Sequence, residues 1–285
     1  MMGDEAKSNR YIHVGEENSQ PIELYYEDHG SGQPVVLIHG FPLSGAAWEK
    51  QVLMLLKKGY RTITYDRRGF GKSSQPTAGY DYDTFAEDLN KLMMELDLLD
   101  AVLVGHSMGT GEVTRYLATY GSGRVSKAVF ISPIPPFVLK TPDNPQGVDQ
   151  SVFDGIKQSI LADRFAYLTS FISDFYNLDV TLGDTVSDEV FQGNWNVAVA
   201  ASPKGTYDCV DTWLTDFRED LTSVDVPALI IHGDADRILP ITATGGEFMH
   251  KAVKGSRLVV LEDAPHGIPW THAREINTEL INFLR

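Results

Sequence analysis

Short, continuous apolar runs alternate along this chain with longer segments in which apolar residues recur every three or four positions. Parallel strands that are covered by helices on both faces have this continuous apolar character. The alternation therefore predicts an α/β fold with a doubly wound, mostly parallel sheet. A further segment, 22–30, predicts an antiparallel edge strand. The apolar runs are PVVLIHG (34–40), YRTITYD (60–66), AVLVG (101–105), KAVFIS (127–132), ALIIHGD (228–234) and RLVVLED (257–263).

Three of the intervening segments have the period of amphipathic helices. Segment 82–99 places its apolar residues on one helical face, and Thr84 and Glu87 within it have the spacing of a capping box. A second stripe occupies 108–121 and closes at a glycine, and a third lies in 271–285. These segments predict helices that pack on the sheet.

The strand–helix alternation lapses between the fourth and fifth apolar runs. The lapse begins with SPIPPFVLKTPDNPQG, where proline is too dense for a regular element, and then becomes helical and rich in aromatic residues. We therefore predict a core of residues 1–132 and 227–285 with a helical cap inserted at 133–226. The cap can be a small subdomain with its own core, and also a lid over the carboxyl edge of the sheet, where such folds bind ligands.

Charge and cysteine content narrow the class of partner. The net charge is −15, which disfavours binding to nucleic acid or to anionic membrane surfaces. The single cysteine, Cys209, excludes an intrachain disulfide and predicts a cytoplasmic protein in which this residue is a small buried hydrophobe. The sequence has no apolar leader, no membrane-spanning run and no metal-binding motif, so we expect neither a membrane nor a metal or cofactor partner.

One serine combines a motif with the right local context. Residues 105–109 read Gly-His-Ser-Met-Gly, which follows an apolar run and precedes a predicted helix. The Gly-x-Ser-x-Gly pattern alone is weak, because a serine between two glycines can also be a small spacer. At a strand-to-helix turn, however, it predicts that Ser107 is a nucleophile lifted above the sheet.

A serine nucleophile needs a base and a group that orients the base. His266 follows the last apolar run, which places it at the same sheet edge as Ser107. Asp234 and Asp236 follow the fifth run, and we favour Asp236 because it lies further into the loop. The order Ser, Asp, His is the one expected on a hydrolase sheet of this kind. His39 and His232 end strands at the same edge and could line the site, but we expect structural roles for both. We expect His272 in the first turn of the last helix and the others at the surface: His13, His29 and His250.

Two backbone N–H groups are candidate donors to an oxyanion. Met108 follows the serine at the start of a helix, and Phe41 follows the first apolar run of the predicted core sheet. Backbone donors at these two places can stabilise the charge of a tetrahedral intermediate.

These residues together resemble the α/β-hydrolase superfamily, and more narrowly the cofactor-free (non-haem) haloperoxidases, a group that includes perhydrolases, arylesterases and γ-lactamases. The resemblance runs from about Ile12 to the C-terminus. It is carried by the strings PIELYYEDHGSGQPVVLIHGFPL, GYRTITYDRRGFGKSSQPTAGYDYDTFAEDL, VGHSMGTGEVTRY, DNPQGV, FYNLD, TDFREDL and EDAPHGIPWTHAREIN.

The resemblance implies an α/β-hydrolase fold in which Ser107, Asp236 and His266 form the triad and Phe41 and Met108 form the oxyanion hole. It also implies chemistry without haem, metal or flavin. An acyl-enzyme would form from a small ester, amide or carboxylic acid. Water or hydrogen peroxide would cleave it, and a peracid released in this way would oxidise halide. Family members are commonly trimers, so a homo-oligomer is expected.

Two sequence features bear on which branch of this family the chain resembles. The Phe41-Pro42 pair is similar to the perhydrolytic branch, whereas His106 replaces the phenylalanine that is usual before the nucleophile. The alternative from another class is a ligand-binding or structural protein that keeps the fold and has little turnover. An intact acid–base chain argues against that alternative.

Overall fold

The computed structural model describes residues 10–243 and 245–285. Within these residues, eight strands form one sheet in the order β1-β2-β4-β3-β5-β6-β7-β8. β1 and β2 are antiparallel to each other, β2 is antiparallel to β4, and all other neighbours are parallel. The strands are β1 (Tyr11–Glu17), β2 (Gln20–His29), β3 (Pro34–Ile38), β4 (Arg61–Tyr65), β5 (Ala101–His106), β6 (Val125–Ile131), β7 (Ala228–Gly233) and β8 (Arg257–Leu261).

The predicted edge strand is not at the edge of the sheet. Segment 22–30 forms most of β2, and β1 pairs along its outer side. In β1 only Ile12 and Val14 are buried, alternating with exposed neighbours. Two buried apolar residues in seven are a weak signal for a strand, which explains why the sequence pattern did not reveal β1.

Ten helices accompany the sheet in the described part of the chain, besides short 3-10 turns at 45–48 and 220–223. Three of them, α1, α8 and α9, have no counterpart of their own among the predicted elements. The helices are α1 (Glu49–Lys57), α2 (Tyr82–Glu95), α3 (Met108–Tyr120), α4 (Gln150–Tyr176), α5 (Leu178–Thr181), α6 (Asp188–Ala200), α7 (Pro203–Thr212), α8 (Gly246–Ala252), α9 (Ile268–Thr271) and α10 (Ala273–Leu284).

The capping-box interpretation of α2 is wrong. Asp81 precedes the helix in an extended conformation, and its carboxylate accepts the N–H of Thr84 at 2.8 Å. Thr84 is therefore the third residue of the helix and not its cap. Aspartate is as good an N-cap as serine or threonine, so the residue three positions earlier takes that role.

The two faces of the sheet carry separate apolar layers. Leu103 of β5 lies in the layer that includes α2, α3 and α8, while Val102 and Val104 lie in the layer of α1, α9 and α10. Successive strand residues point to opposite faces, so each face needs its own helices. This confirms the predicted doubly wound, mostly parallel α/β fold.

Four helices, α4 to α7, lie in the segment between β6 and β7. They share a third apolar cluster with Phe41 and Met108, which come directly after β3 and β5. Helix α4 is broken at Asp163, whose φ and ψ angles are −159° and 94°. The segment therefore packs over the carboxyl ends of the central strands. Among the described residues, no helix combines the length and the apolar character that crossing a bilayer requires.

Candidate active site

Ser107 lies at a sharp turn between β5 and α3. Its φ of 53° and ψ of −119° fall in a region that non-glycine residues rarely adopt. The turn is held by the Ser107 N–H, which donates to the carbonyl of Ile131 at 2.9 Å. A Cβ atom on Gly105 would lie 2.6 Å from the carbonyl oxygen of Gly109, and one on Gly109 would lie 2.4 Å from the last carbonyl oxygen of β3. Both glycines are therefore required by close backbone contacts.

The predicted acid and base are in direct contact. Asp236 Oδ2 lies 2.7 Å from His266 Nδ1, and both side chains are fully buried. Asp234, the other candidate acid, is exposed, and its backbone N–H donates to Leu261. Of the two aspartates, only Asp236 is placed to orient an imidazole.

Four donors surround the carboxylate of Asp236. The N–H groups of Ile238 and Leu239 donate to Oδ1 at 2.9 and 2.7 Å. His266 and His232 both approach Oδ2, at 2.7 and 3.2 Å. Burial alone would raise the pKa of Asp236, but the charge of His266 and the hydrogen bonds from His232 and His266 outweigh it and hold that pKa well below its ordinary value. The carboxylate is therefore ionised throughout the range in which an imidazole titrates.

His266 reaches the end of β5. Its ring centroid lies 5.1 Å from that of His106 and 5.0 Å from that of Phe175. The carbonyl of His266 accepts a hydrogen bond from His106 Nε2 at 3.0 Å. Because Nδ1 is engaged by Asp236, Nε2 lies on the opposite side of the ring. Within the described residues, this Nε2 is buried without a hydrogen-bond partner, so one ring nitrogen remains available beside the residue that precedes Ser107.

The two candidate oxyanion donors lie next to residues of the serine turn: Met108 follows Ser107, and Phe41 follows Gly40, which contacts Ser107. Met108 is the first residue of α3, where a backbone N–H has no carbonyl of the preceding turn to bond to. Phe41 lies in the loop after β3, and its buried ring packs edge-on against Trp213 at 4.9 Å and Phe171 at 5.3 Å. The aromatic packing fixes the loop that carries the Phe41 N–H.

A pocket of about 110 Å³ opens at Ser107. Its walls come from the loop after β3, from the loop after Asp236 and from the segment between β6 and β7. Apart from Ser107, the lining is apolar and aromatic. The lining residues are Phe41, Ser107, Ile134, Val138, Val148, Val152, Phe153, Ile156, Phe171, Trp213, Ile238 and Leu239.

The sequence pattern of the α/β-hydrolase fold family matches residues 33–273 of this chain. The chain belongs to the α/β-hydrolase family. A relative from Synechocystis sp., provisionally named a non-heme chloroperoxidase, is 63% identical over 275 residues, which cover 96% of this chain and 99% of the relative. This level of identity over nearly the whole of both chains extends the similarity beyond the shared fold.

Two further relatives of this α/β-hydrolase differ in their assigned activities. The crystal structure of a bromoperoxidase from Bacillus anthracis has a TM-score of 0.92 and 47% identity, covering 96% of this chain and 98% of that one. A protein of Acinetobacter calcoaceticus named a bifunctional esterase/perhydrolase is 37% identical over 268 residues, covering 93% and 96% of the two chains.

His106 is the residue by which this α/β-hydrolase departs from the resemblance. Its ring packs edge-on against Trp48 and Phe175, and it is almost completely buried. Burial, with a smaller contribution from the nearby His266, lowers the pKa of His106 to about 3. Since Nε2 bonds to a carbonyl, the proton is on Nε2. His106 is thus a neutral donor to the backbone of His266.

The remaining histidines divide into two groups. His39 accepts the N–H of Arg67 at Nε2 and bonds to the carbonyl of Gly40 at Nδ1, which is the expected structural role. His232 does more than that expectation, because it contacts Asp236 directly. The sequence feature that could have indicated this contact is the four-residue spacing of His232 and Asp236 around a tight turn. The others have surface or partly buried positions: His13, His29, His250 and His272.

Cys209 is fully buried in α7, and burial raises the pKa of its thiol. This matches the expected role as a small apolar residue. Across residues 10–243 and 245–285, no cluster of three or more histidine, cysteine, aspartate or glutamate side chains has a metal-binding arrangement.

Proposed function

We propose that this α/β-hydrolase is a serine-dependent acyl hydrolase and perhydrolase that works through an acyl-enzyme. The observation that supports this most is the buried Asp236–His266 pair, which leaves Nε2 of His266 without a partner beside the strained turn of Ser107. A strained serine, an oriented imidazole and an ionised carboxylate are the three parts that nucleophilic acyl transfer requires.

In the first half of the reaction, Nε2 of His266 accepts the hydroxyl proton while Oγ of Ser107 attacks the acyl carbon. The carbonyl π bond opens, and the N–H groups of Phe41 and Met108 stabilise the resulting oxyanion. Asp236 stabilises the imidazolium without taking its proton. The tetrahedral intermediate then collapses and the imidazolium protonates the leaving group, which departs as an alcohol from an ester, an amine from an amide or water from a carboxylic acid. The acyl-enzyme remains.

In the second half, His266 removes a proton from water or from hydrogen peroxide, which attacks the acyl carbon and releases Ser107. Water gives a carboxylic acid, and hydrogen peroxide gives a peracid. The peracid then transfers one oxygen to halide, which yields hypohalous acid and returns the carboxylic acid. Haloperoxidase activity thus needs no cofactor. The names of the relatives, which span chloroperoxidase, bromoperoxidase and esterase/perhydrolase, support this pairing.

We also propose that residues 133–226 act as a cap whose inner wall selects the acyl group. The support is that Phe153, Phe171 and Trp213 of this segment line the small apolar pocket at Ser107. Such a pocket favours a short, uncharged acyl group, because a charged group would lose its hydration there. Esters, and γ-lactams among amides, fit this description.

The geometry weighs against the alternative of a ligand-binding or structural protein. A binding site has no need of a buried carboxylate that orients an imidazole, since burying such charged groups costs folding free energy. We further propose a homo-oligomer, with the trimer that the family resemblance implies, in the cytoplasm, where the single buried thiol of Cys209 would remain reduced. Sedimentation analysis tests the trimer.

The decisive experiment replaces Ser107 with alanine. We expect Ser107→Ala to lower the kcat for p-nitrophenyl acetate by about 10⁴-fold or more. Acetate-dependent bromination of monochlorodimedone in hydrogen peroxide should disappear together with it. The matched control is Ser159→Ala, an exposed serine on α4, which should retain both activities.

A covalent probe gives the same answer independently of turnover. A fluorophosphonate should label the wild-type protein at Ser107 and leave Ser107→Ala unlabelled. Absence of both labelling and ester turnover in the wild type would favour the ligand-binding protein. Bromination that survives in Ser107→Ala would show a separate oxidative site.

A further inference from the structure

A second imidazole shares the catalytic carboxylate oxygen. His232, near the end of β7, is fully buried, and its Nε2 lies 3.2 Å from Oδ2 of Asp236. His266 Nδ1 lies 2.7 Å from the same oxygen. Two imidazoles on one carboxylate oxygen exceed what the acid of a triad needs in order to orient its base.

The hydrogen bonds of His232 fix its protonation. The N–H of Gly246, at the start of α8, donates to Nδ1 of His232 at 3.0 Å, so that nitrogen carries no proton. The proton is therefore on Nε2, which donates to Asp236 and to the carbonyl of Leu239 at 2.9 Å. A Cβ atom on Gly246 would lie 2.8 Å from Nδ1 of His232, so a glycine is needed for this approach. The local structure thus presents His232 to the carboxylate as a neutral donor.

We propose that His232 is a positioning residue for the acyl-transfer reaction. Its Nε2–H withdraws part of the negative charge of Asp236 Oδ2 and so moderates how strongly Asp236 holds the imidazolium of His266. This inference rests on the proposed function of Ser107, Asp236 and His266. The N–H groups of Ile238 and Leu239 hold Oδ1 of Asp236, whereas His232 holds Oδ2. Neutral donors of this kind orient a buried charged group and share its charge.

We assign the acid limb of the kcat/KM–pH profile to the Asp236–His266 pair, after considering each group around His266. Asp236 and His232 face its ring from the β7 side, and His106 faces it from β5. From α4 come the ring of Phe175 and, beside Gly267, the phenol of Tyr176, whose pKa is raised by burial. His106 has a pKa of about 3, so neither it nor Tyr176 changes charge near neutral pH.

Two substitutions separate the hydrogen bond that Nδ1 of His232 accepts from those that its Nε2 donates. An asparagine amide occupies the place of Nδ1, so His232→Asn retains an acceptor for Gly246 and loses the donor to Asp236. A glutamine amide reaches the place of Nε2, so His232→Gln retains the donor to Asp236 and loses the acceptor. A purely structural role at α8 would make His232→Gln the more damaging change.

We expect the opposite result in a kcat/KM–pH profile with p-nitrophenyl acetate. In His232→Asn the acid limb should move to higher pH by about one unit, which lowers kcat/KM about tenfold at acidic pH, because Oδ2 then bonds to the imidazolium alone. In His232→Gln the limb should stay in place and kcat/KM should remain within about threefold of wild type. An unshifted limb in folded His232→Asn, the reverse pattern, or equal damage in both variants would overturn the proposal.

Nuclear magnetic resonance tests the same claim without turnover, so failure of the proposed function would be seen separately. The low-field Nδ1 proton of His266 should move further downfield in His232→Asn and stay in place in His232→Gln. In the wild-type protein, ¹⁵N shifts should show His232 with its proton on Nε2. A proton on Nδ1 would overturn the proposal even if neither variant folds.

Discussion

Helix α2 on the sheet and helix α6 of the segment between β6 and β7 bury their side chains very differently. In α2, half of the fourteen residues are buried, and Leu89, Leu92 and Met93 have no exposed surface. In α6, Ala198 is the sole buried residue among thirteen. Helix α2 is therefore fixed by contacts along a whole face, whereas α6 has little buried surface and lines no part of the pocket at Ser107. Folding stability should come from the sheet layers, and substrate selection from the cap.

The largest effect should come from a cavity in the sheet layer. Leu103 in the middle of β5 is fully buried, so Leu103→Ala should lower the free energy of unfolding by about 2–5 kcal/mol. The matched change on the cap is Leu161→Ala in α4, where the side chain is 72% exposed. It should change stability by less than about 0.5 kcal/mol. Urea denaturation measures both, and comparable losses in the two variants would contradict the difference between the regions.

The same contrast explains which elements could be predicted from the sequence. The buried strands and the helices α2, α3 and α10 were predictable, because contacts along a whole face impose a regular apolar period. The break of α4 was not, although Asp163 accepts the N–H of Ala166 at 3.0 Å, as an N-cap does. The apolar period continues across the break, so periodicity alone could not detect it.

In the candidate site, the sequence predicted which loops would meet but not every side-chain contact within them. Ser107, Asp236 and His266 follow strands that end at one edge, so the order of the motifs predicts that they come together. The bond between His232 and Asp236 was not predictable, because it depends on how the turn after β7 closes. Strand order determines which loops meet, whereas side-chain partners within a loop depend on its detailed conformation.

Acid should lower the free energy of unfolding through two buried, neutral imidazoles at the carboxyl edge of the sheet. Burial lowers the pKa of both His106, to about 3, and His39, so each binds a proton in the unfolded chain before it does in the folded one. Their stabilising effect is complete above about pH 6.5. As the pH falls from there towards the pKa of the folded state, each of the two histidines lowers the free energy of unfolding by about 1.4 kcal/mol per pH unit.

Replacing one of these imidazoles tests that sign. In His106→Phe the free energy of unfolding should fall less steeply between pH 6 and pH 4 than in wild type, by about 1.4 kcal/mol per pH unit, whatever its value at pH 8. The lowered pKa of Asp236 does not interfere, because its stabilisation is lost only below the ordinary aspartate range. Chemical denaturation at several pH values measures the slope, and parallel curves for the two proteins would contradict it.

The cap should control acyl-chain length and contribute little to stability. Phe171 lines the pocket at Ser107 and packs against Phe41. Phe171→Ala should therefore raise the ratio of kcat/KM for p-nitrophenyl butanoate over acetate by about tenfold. The control is Phe165→Ala, an outward-facing ring on the same helix that is 52% exposed. An unchanged ratio in Phe171→Ala, or an equal change in the control, would remove the cap from substrate selection.

The smallest effect should come from the ion pair that joins the cap to the loop of the acid. Arg237 follows Asp236 and pairs with Asp179 of α5 at 2.6 Å, with both side chains largely exposed. Solvent screening limits such a pair to about 0–1 kcal/mol, and salt should weaken it further. A double-mutant cycle of Arg237→Ala and Asp179→Ala in urea denaturation measures the coupling. A larger, salt-independent value would mean that the cap is held to the sheet by more than its contacts at the pocket.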